Sequence, residues 1–274
     1  MITVPYSESN KKEQIPFIVW IRTISVGLIL LCHLAITSSN PYIVMSSQLF
    51  NVGVNIFIII SGFLFGYLGV KRPYRKWLLK RMKRIYCPYW VFLAVITMIH
   101  MVQRCKITLS SFIRSVLGIH GFTYVFSGFQ HTWFISAILL CYLMTPLIDM
   151  FVSWLLSPRN ERKFWPFICV IICMPVGIAF LREYAILGTI PFYALAFILG
   201  RKWENINIQK KEATIAASGV IISFALRFFV RILIDDSILY TNIVAVYTHY
   251  FAAFCFLFAA SFFFRLKTSQ NDKK

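Results

Sequence analysis

Two ionisable residues, Arg22 and His33, interrupt the first long apolar run of this 274-residue chain. An ionisable side chain at the centre of a membrane helix costs about 2.5–3.5 kcal/mol on insertion scales, so each needs a physical reason to be there. Their separation of eleven residues is close to three α-helical turns, which sets both on one face, ~16 Å apart along the axis. Neutral imidazole can act as a base near neutral pH, and guanidinium binds phosphate or carboxylate. A lone histidine on an apolar face is more often simply packed, but other polar residues follow. Asn51 and Asn55 stand one turn apart at the start of the next apolar run, with Ser61 and Gly62 deeper, where small residues let helices approach closely. Arg81 and Arg84 close the basic run KRPYRKWLLKRMKR and share a helix face, a geometry suited to phosphate oxygens. The plain alternative for that run is topology charge attracted to anionic lipid. His131 and Trp133 open a later apolar run.

The elements that must position these residues follow from composition. Apolar residues make up 59% of the chain and charged residues 14%, against roughly 45–50% and 25% in soluble domains. That excludes a soluble globular enzyme. Eight stretches approach the roughly 20 apolar residues needed to cross a bilayer: 16–38, 48–70, 85–103, 132–152, 164–182, 184–200, 213–234 and 241–264. The expected fold is therefore all-α, a polytopic transmembrane bundle of about eight helices. Residues 1–15 form a leading segment, 16–264 the membrane domain and 265–274 a tail. The first run is too long, and its leader too acidic, for a cleavable signal peptide.

Basic residues alternate between connections. The 71–84 run holds eight Lys or Arg and no acid, and 153–163, 201–212 and the tail are also basic, whereas 39–47 has no charge at all. By the positive-inside rule both termini are cytoplasmic, and the net charge of +18 needs no nucleic-acid partner. Within the long outer connection 104–131, Leu109, Phe112, Ile113, Val116 and Leu117 recur at helical spacing opposite Ser110, Ser111, Arg114 and Ser115. The pattern predicts a short helix, lying in the outer interface or packed on the bundle. Six of the seven cysteines sit in apolar runs as small hydrophobes, and no ligand spacing suggests a metal. His100, His120 and His249 look packed or interfacial, and Asp149 and Arg227 look paired within the bundle.

Four segments together resemble the acyltransferase-3 family of integral-membrane O-acyltransferases: Arg22-x10-His33, GVNIFIIISGFLFGYL, RMKRIYCPYW and HTWFISAILLCYLMTPLI. The resemblance is dense over residues 17–150. It implies that His33 is the catalytic histidine with Arg22 its partner, and that Arg81 and Arg84 bind acyl-CoA, a co-substrate rather than a resident cofactor. It also implies an envelope or exported glycan, free or lipid-linked, as acceptor, and a bacterial inner membrane as the location. Trp133 matches the tryptophan of the family's fourth-helix motif. Asn55 stands where many members have an acid, and members commonly have about ten helices. Asn51, Asn55, His131 and Trp133 would cluster with His33 on the outer side around the acceptor. A glycan transporter or flippase, or an inactive member of the family, would share the helices and the buried polar residues but not the reaction.

Overall fold

The computed structural model describes residues 16–104, 107–119, 132–179, 186–206, 209–234 and 243–271. No strand occurs among them. Among the described residues ten α-helices follow one another: α1 (Pro16–Ile36), α2 (Pro41–Phe50), α3 (Val52–Leu68), α4 (Tyr74–Val102), α5 (Leu109–Leu117), α6 (Trp133–Leu155), α7 (Glu161–Ala179), α8 (Thr189–Lys202), α9 (Lys210–Ile234) and α10 (Ala245–Asn271). Among the described residues six helical stretches are long and apolar enough to span a bilayer: α1, α2 with α3, α4, α6, and most of α9 and α10. The fifth and sixth expected spans correspond to α7 and α8, which are not among the six. α7 opens on Glu161-Arg162-Lys163 and contains Pro166 and Pro175. α8 has 14 residues, ~21 Å of helix against about 30 Å of hydrocarbon.

Two compact units divide the chain. One takes residues up to Leu68 together with those from Gly200 onward, and the other takes Gly69 to Leu199. In the first unit α3 is the central helix: the stretch it forms with α2 has 72% of its spanning window buried against 28% for α1. α1 buries the stripe Phe17, Ile18, Ile21, Ser25, Cys32 and Ala35, while Trp20, Leu30 and Leu34 remain exposed. Exposed apolar side chains on a membrane helix are its contact with lipid, which solvates them as well as protein would. The 39–47 connection, expected as a loop, is helical. Asn40 caps α2 by accepting the Tyr42 amide at 2.9 Å, and Pro41 takes the first helical position, where its missing N–H costs nothing.

In the second unit the basic run is also helical. α4 begins at Tyr74, and Pro88, which looks in the sequence like a helix start, lies in its interior. Trp77 and Tyr89 are buried on one face with Tyr74, Leu78, Arg81 and Ile85 partly covered, while Arg75, Lys76, Lys80, Lys83 and Arg84 are exposed. An inward apolar face at 3.6-residue spacing outweighs the charge run, because packing rather than charge count decides whether a helix continues. α5 forms as predicted, capped by Thr108 at its start and by Gly118 at φ 70°. Its buried side is rotated away from the one simple amphipathic burial would choose. Ser111 and Ser115 are buried, whereas Leu109, Ile113 and Leu117 are exposed. α5 folds back along α4, which donates from Tyr86 to the Leu117 carbonyl at 2.8 Å, from Trp90 to Val116 at 3.1 Å and from Tyr89 to Ser115. Those donors satisfy the carbonyls that a helix leaves open at its last turn, so the buried side of α5 joins Ser111 and Ser115 with the half-buried Phe112 and Val116, the latter packed on Leu93, while Ser110, Arg114, Leu109, Ile113 and Leu117 stay exposed.

Candidate functional site

The residues singled out by type and spacing fall into both units. Arg22 and His33 lie on α1 as the helical period requires, and both are exposed, on the flank of that helix's buried stripe. The depth of their neighbours is fixed by two contacts between α1 and α3. The Phe17 and Phe63 rings meet edge to face at 6.3 Å, and Ser25 donates its hydroxyl to the Gly53 carbonyl. The two helices therefore run antiparallel, with Gly53 opposite Ser25. His33 is eight residues, ~12 Å, farther along α1. Asn51, exposed at the end of α2, lies on the His33 side of this crossing, whereas Asn55, buried in α3, lies on the Arg22 side. The two asparagines are thus spread along the helix pair rather than gathered at the level of the imidazole.

A second polar group in this unit consists of two residues that the sequence reads as packed or paired in the bundle rather than as part of a site. Arg227 of α9 and His249 of α10 are both buried. Gly219 and Cys255 approach so closely that a Cβ on the glycine would sit 2.7 Å from the sulfur, which aligns the two helices and brings Arg227 alongside His249. The charge of Arg227 acts on both His249 and Cys32, the residue preceding His33. The reading of His249 as a packed histidine agrees with its burial. The clue available from sequence was a charge inside an apolar run, the same clue that marked Arg22.

In the second unit Arg81 and Arg84 separate. Arg81 is partly buried, with its guanidinium 6.0 Å from the centre of the Trp77 ring and within electrostatic reach of Tyr193, whereas Arg84 is exposed. Around Arg81 runs a polar ladder. Thr145 meets the Tyr193 hydroxyl at 2.7 Å and donates to the Cys141 carbonyl, while the Cys141 sulfur lies 3.8 Å from the Thr189 hydroxyl. One turn on, Tyr74 donates to the buried Asp149 carboxylate at 2.9 Å. Cys141, Thr145 and Asp149 recur every four residues on one face of α6. That spacing was visible in the sequence but gives no hint of partners 48 and 75 residues away. Trp133 opens α6 and is partly buried. His131 lies outside the described residues. Among the described residues no three His, Cys, Asp or Glu side chains converge as they would around a metal ion.

One unit thus carries an exposed arginine and histidine on a single helix face, and the other a half-buried arginine beside buried hydroxyl groups. A family model described as an acyltransferase domain, acyltransferase-3, matches residues 15–272 of the chain. No curated protein and no solved structure matches.

Proposed function

Because the chain belongs to the acyltransferase-3 family, matched over nearly its whole length, and is a multi-pass membrane protein, we propose that it moves an acetyl group from cytoplasmic acetyl-CoA to a hydroxyl of an envelope or exported glycan. The observation that carries this reading is the pairing of Arg22 and His33 on one face of α1, three turns apart, in a chain of this family. At ~16 Å the guanidinium cannot touch the imidazole. The pair instead suits an elongated donor, with its phosphates at the arginine end and its thioester at the histidine end. Arg81 and Arg84 add phosphate-binding charge with both termini taken as cytoplasmic.

In the reaction the imidazole of His33 takes the proton of the acceptor hydroxyl as its oxygen bonds to the thioester carbonyl carbon. The carbon–sulfur bond then breaks, and the proton passes from His33 to the departing thiolate, giving free CoA and the acylated glycan. Negative charge on the carbonyl oxygen needs a donor between these steps. Asn51, on the His33 side of the α1–α3 crossing, carries an amide of the right kind for the oxyanion or the sugar. Asn55 lies deeper and suits the donor arm.

The experiment is the acetyl content of envelope glycan in cells expressing wild-type protein or His33→Ala at matched levels. Loss of acetyl groups with the glycan still at the surface supports transfer. Unchanged acetylation, or a glycan that no longer reaches the surface, points to transport instead and ends the catalytic reading.

A further inference from the structure

Between α6, α7 and α8, wholly within the second unit, lies an open groove of about 210 Å³ with apolar walls. It plays no part in the chemistry assigned to His33 or the arginine pair. On α6 its lining runs from Met144 to Val152 and on α7 from Phe167 to Met174, so it is ~10–12 Å long, parallel to the helices. Leu147 and Ile148 of α6 and Ala194 of α8 are among its lining residues. A slot of that form accepts a linear hydrocarbon chain better than a compact ligand.

One end of the groove carries positive charge. Phe151 and Phe167 close it with ring centres 4.4 Å apart. Immediately beyond, Trp154 packs on Phe151 at 5.4 Å, and the Lys163 ammonium stands 5.1 Å from the centre of the Trp154 ring. Lys163 is one turn before Phe167 on α7, and the exposed Arg159 and Arg162 flank it, against the single acid Glu161. Tryptophan beside basic residues at the end of an apolar slot is the arrangement found where a helix bundle meets lipid headgroups. Cations near that surface favour anionic lipid by about 1 kcal/mol each.

We propose that this groove is a binding site for one anionic glycerophospholipid, with an acyl chain along α6 and α7 and its phosphate held by Lys163, Arg159 and Arg162. Charge decides the occupant: the three cations at the mouth select against a zwitterionic lipid, whose ammonium they would repel, and against a second copy of the same basic face. The site is independent of the acyl-transfer reading.

The test is native mass spectrometry of the full-length protein released from detergent micelles containing either phosphatidylglycerol or phosphatidylcholine. One phosphatidylglycerol should stay bound per chain under conditions that strip phosphatidylcholine. Lys163→Ala should weaken that retention about five-fold, with further loss on adding Arg162→Ala. Ala194→Leu, which narrows the groove and leaves every charge in place, should reduce retention of phosphatidylglycerol as well. Equal retention of the two lipids overturns the proposal, as does indifference to Lys163→Ala. Full retention in Ala194→Leu overturns it too, by reducing the site to a surface cation cluster. A second protein chain retained in place of lipid would identify the groove as a dimer face instead.

Discussion

Ser25 donates its hydroxyl to the carbonyl oxygen of Gly53, and the glycine lies so close to α1 that a methyl group on it would stand 2.7 Å from the Ser25 carbonyl oxygen and 2.9 Å from Ile29. This crossing sets the register of α1 on α3, and hence the depth at which Arg22 and His33 stand. Small residues at such crossings are what lets membrane helices approach, since lipid gives no hydrophobic drive for association.

Gly53→Ala should therefore destabilise the protein by about 1–3 kcal/mol, the cost of overpacking a well-filled contact. Gly27, two residues beyond Ser25, has nothing within 4 Å of its would-be Cβ. Gly27→Ala should be neutral or stabilising by up to ~1 kcal/mol through helix propensity alone. Thermal unfolding of both variants in one detergent is the measurement, and equal melting temperatures would show that the crossing is not tight.

The Thr145–Tyr193 contact predicts an asymmetry. Tyr193→Phe removes one hydrogen bond but leaves the Thr145 hydroxyl on the Cys141 carbonyl, so the cost should be about 0.5–1.5 kcal/mol. Thr145→Val leaves the hydroxyl of a fully buried tyrosine without that partner and should cost about 1–3 kcal/mol. Denaturation of the two variants side by side tests the order, and a larger loss in Tyr193→Phe would contradict it.

Arg81 and Arg84 should differ in function because they differ in surroundings. If both bind donor phosphates, alanine at either position raises the KM for acetyl-CoA with little change in kcat. The exposed Arg84 should tolerate lysine, and its contribution should shrink in high salt. Arg81, beside the Trp77 ring, should not tolerate it, because ammonium lacks the planar fork. Steady-state transfer of labelled acetyl groups in permeabilised membrane vesicles separates these outcomes, and identical salt dependence for the two sites would refute the distinction.

The left-handed end of α5 can also be tested. Ser136 donates to the carbonyl of Gly118, the left-handed residue that ends the helix. Gly118→Ala would strain that turn by about 1–2 kcal/mol and bring a methyl group within 3.1 Å of Leu139. Ser110→Ala, on an exposed position of the same helix, should be near neutral. A melting shift confined to Gly118→Ala is expected.

Much of the architecture was legible because it is local. Long apolar runs announced α1, α3, α6, α9 and α10, and the face shared by Arg22 and His33 follows from 3.6 residues per turn whatever surrounds the helix. The short helix α5 could be read from its apolar spacing, but not which of its sides is buried. Amphipathicity reports a difference between faces, and a bilayer offers the apolar face a second solvent besides the protein core. α2 is announced only by the Asn40-Pro41 start signal, because ten residues are too few to register as an apolar span. The beginning of α4 is not legible in the sequence, because eight charges within 71–84 hide the inward positions Tyr74, Trp77, Leu78 and Arg81.

The sequence by itself determined that this chain is a membrane bundle of α-helices, and which residues share a face on each helix, since both depend on hydrogen bonds and side-chain periods within a few residues. Only tertiary structure decided that Arg81 turns inward while Arg84 stays out, that Thr145 meets Tyr193 and Tyr74 meets Asp149, and that Arg227 lies beside His249. Those pairs are set by which helix packs on which and at what height, a choice made by contacts between residues far apart in the chain.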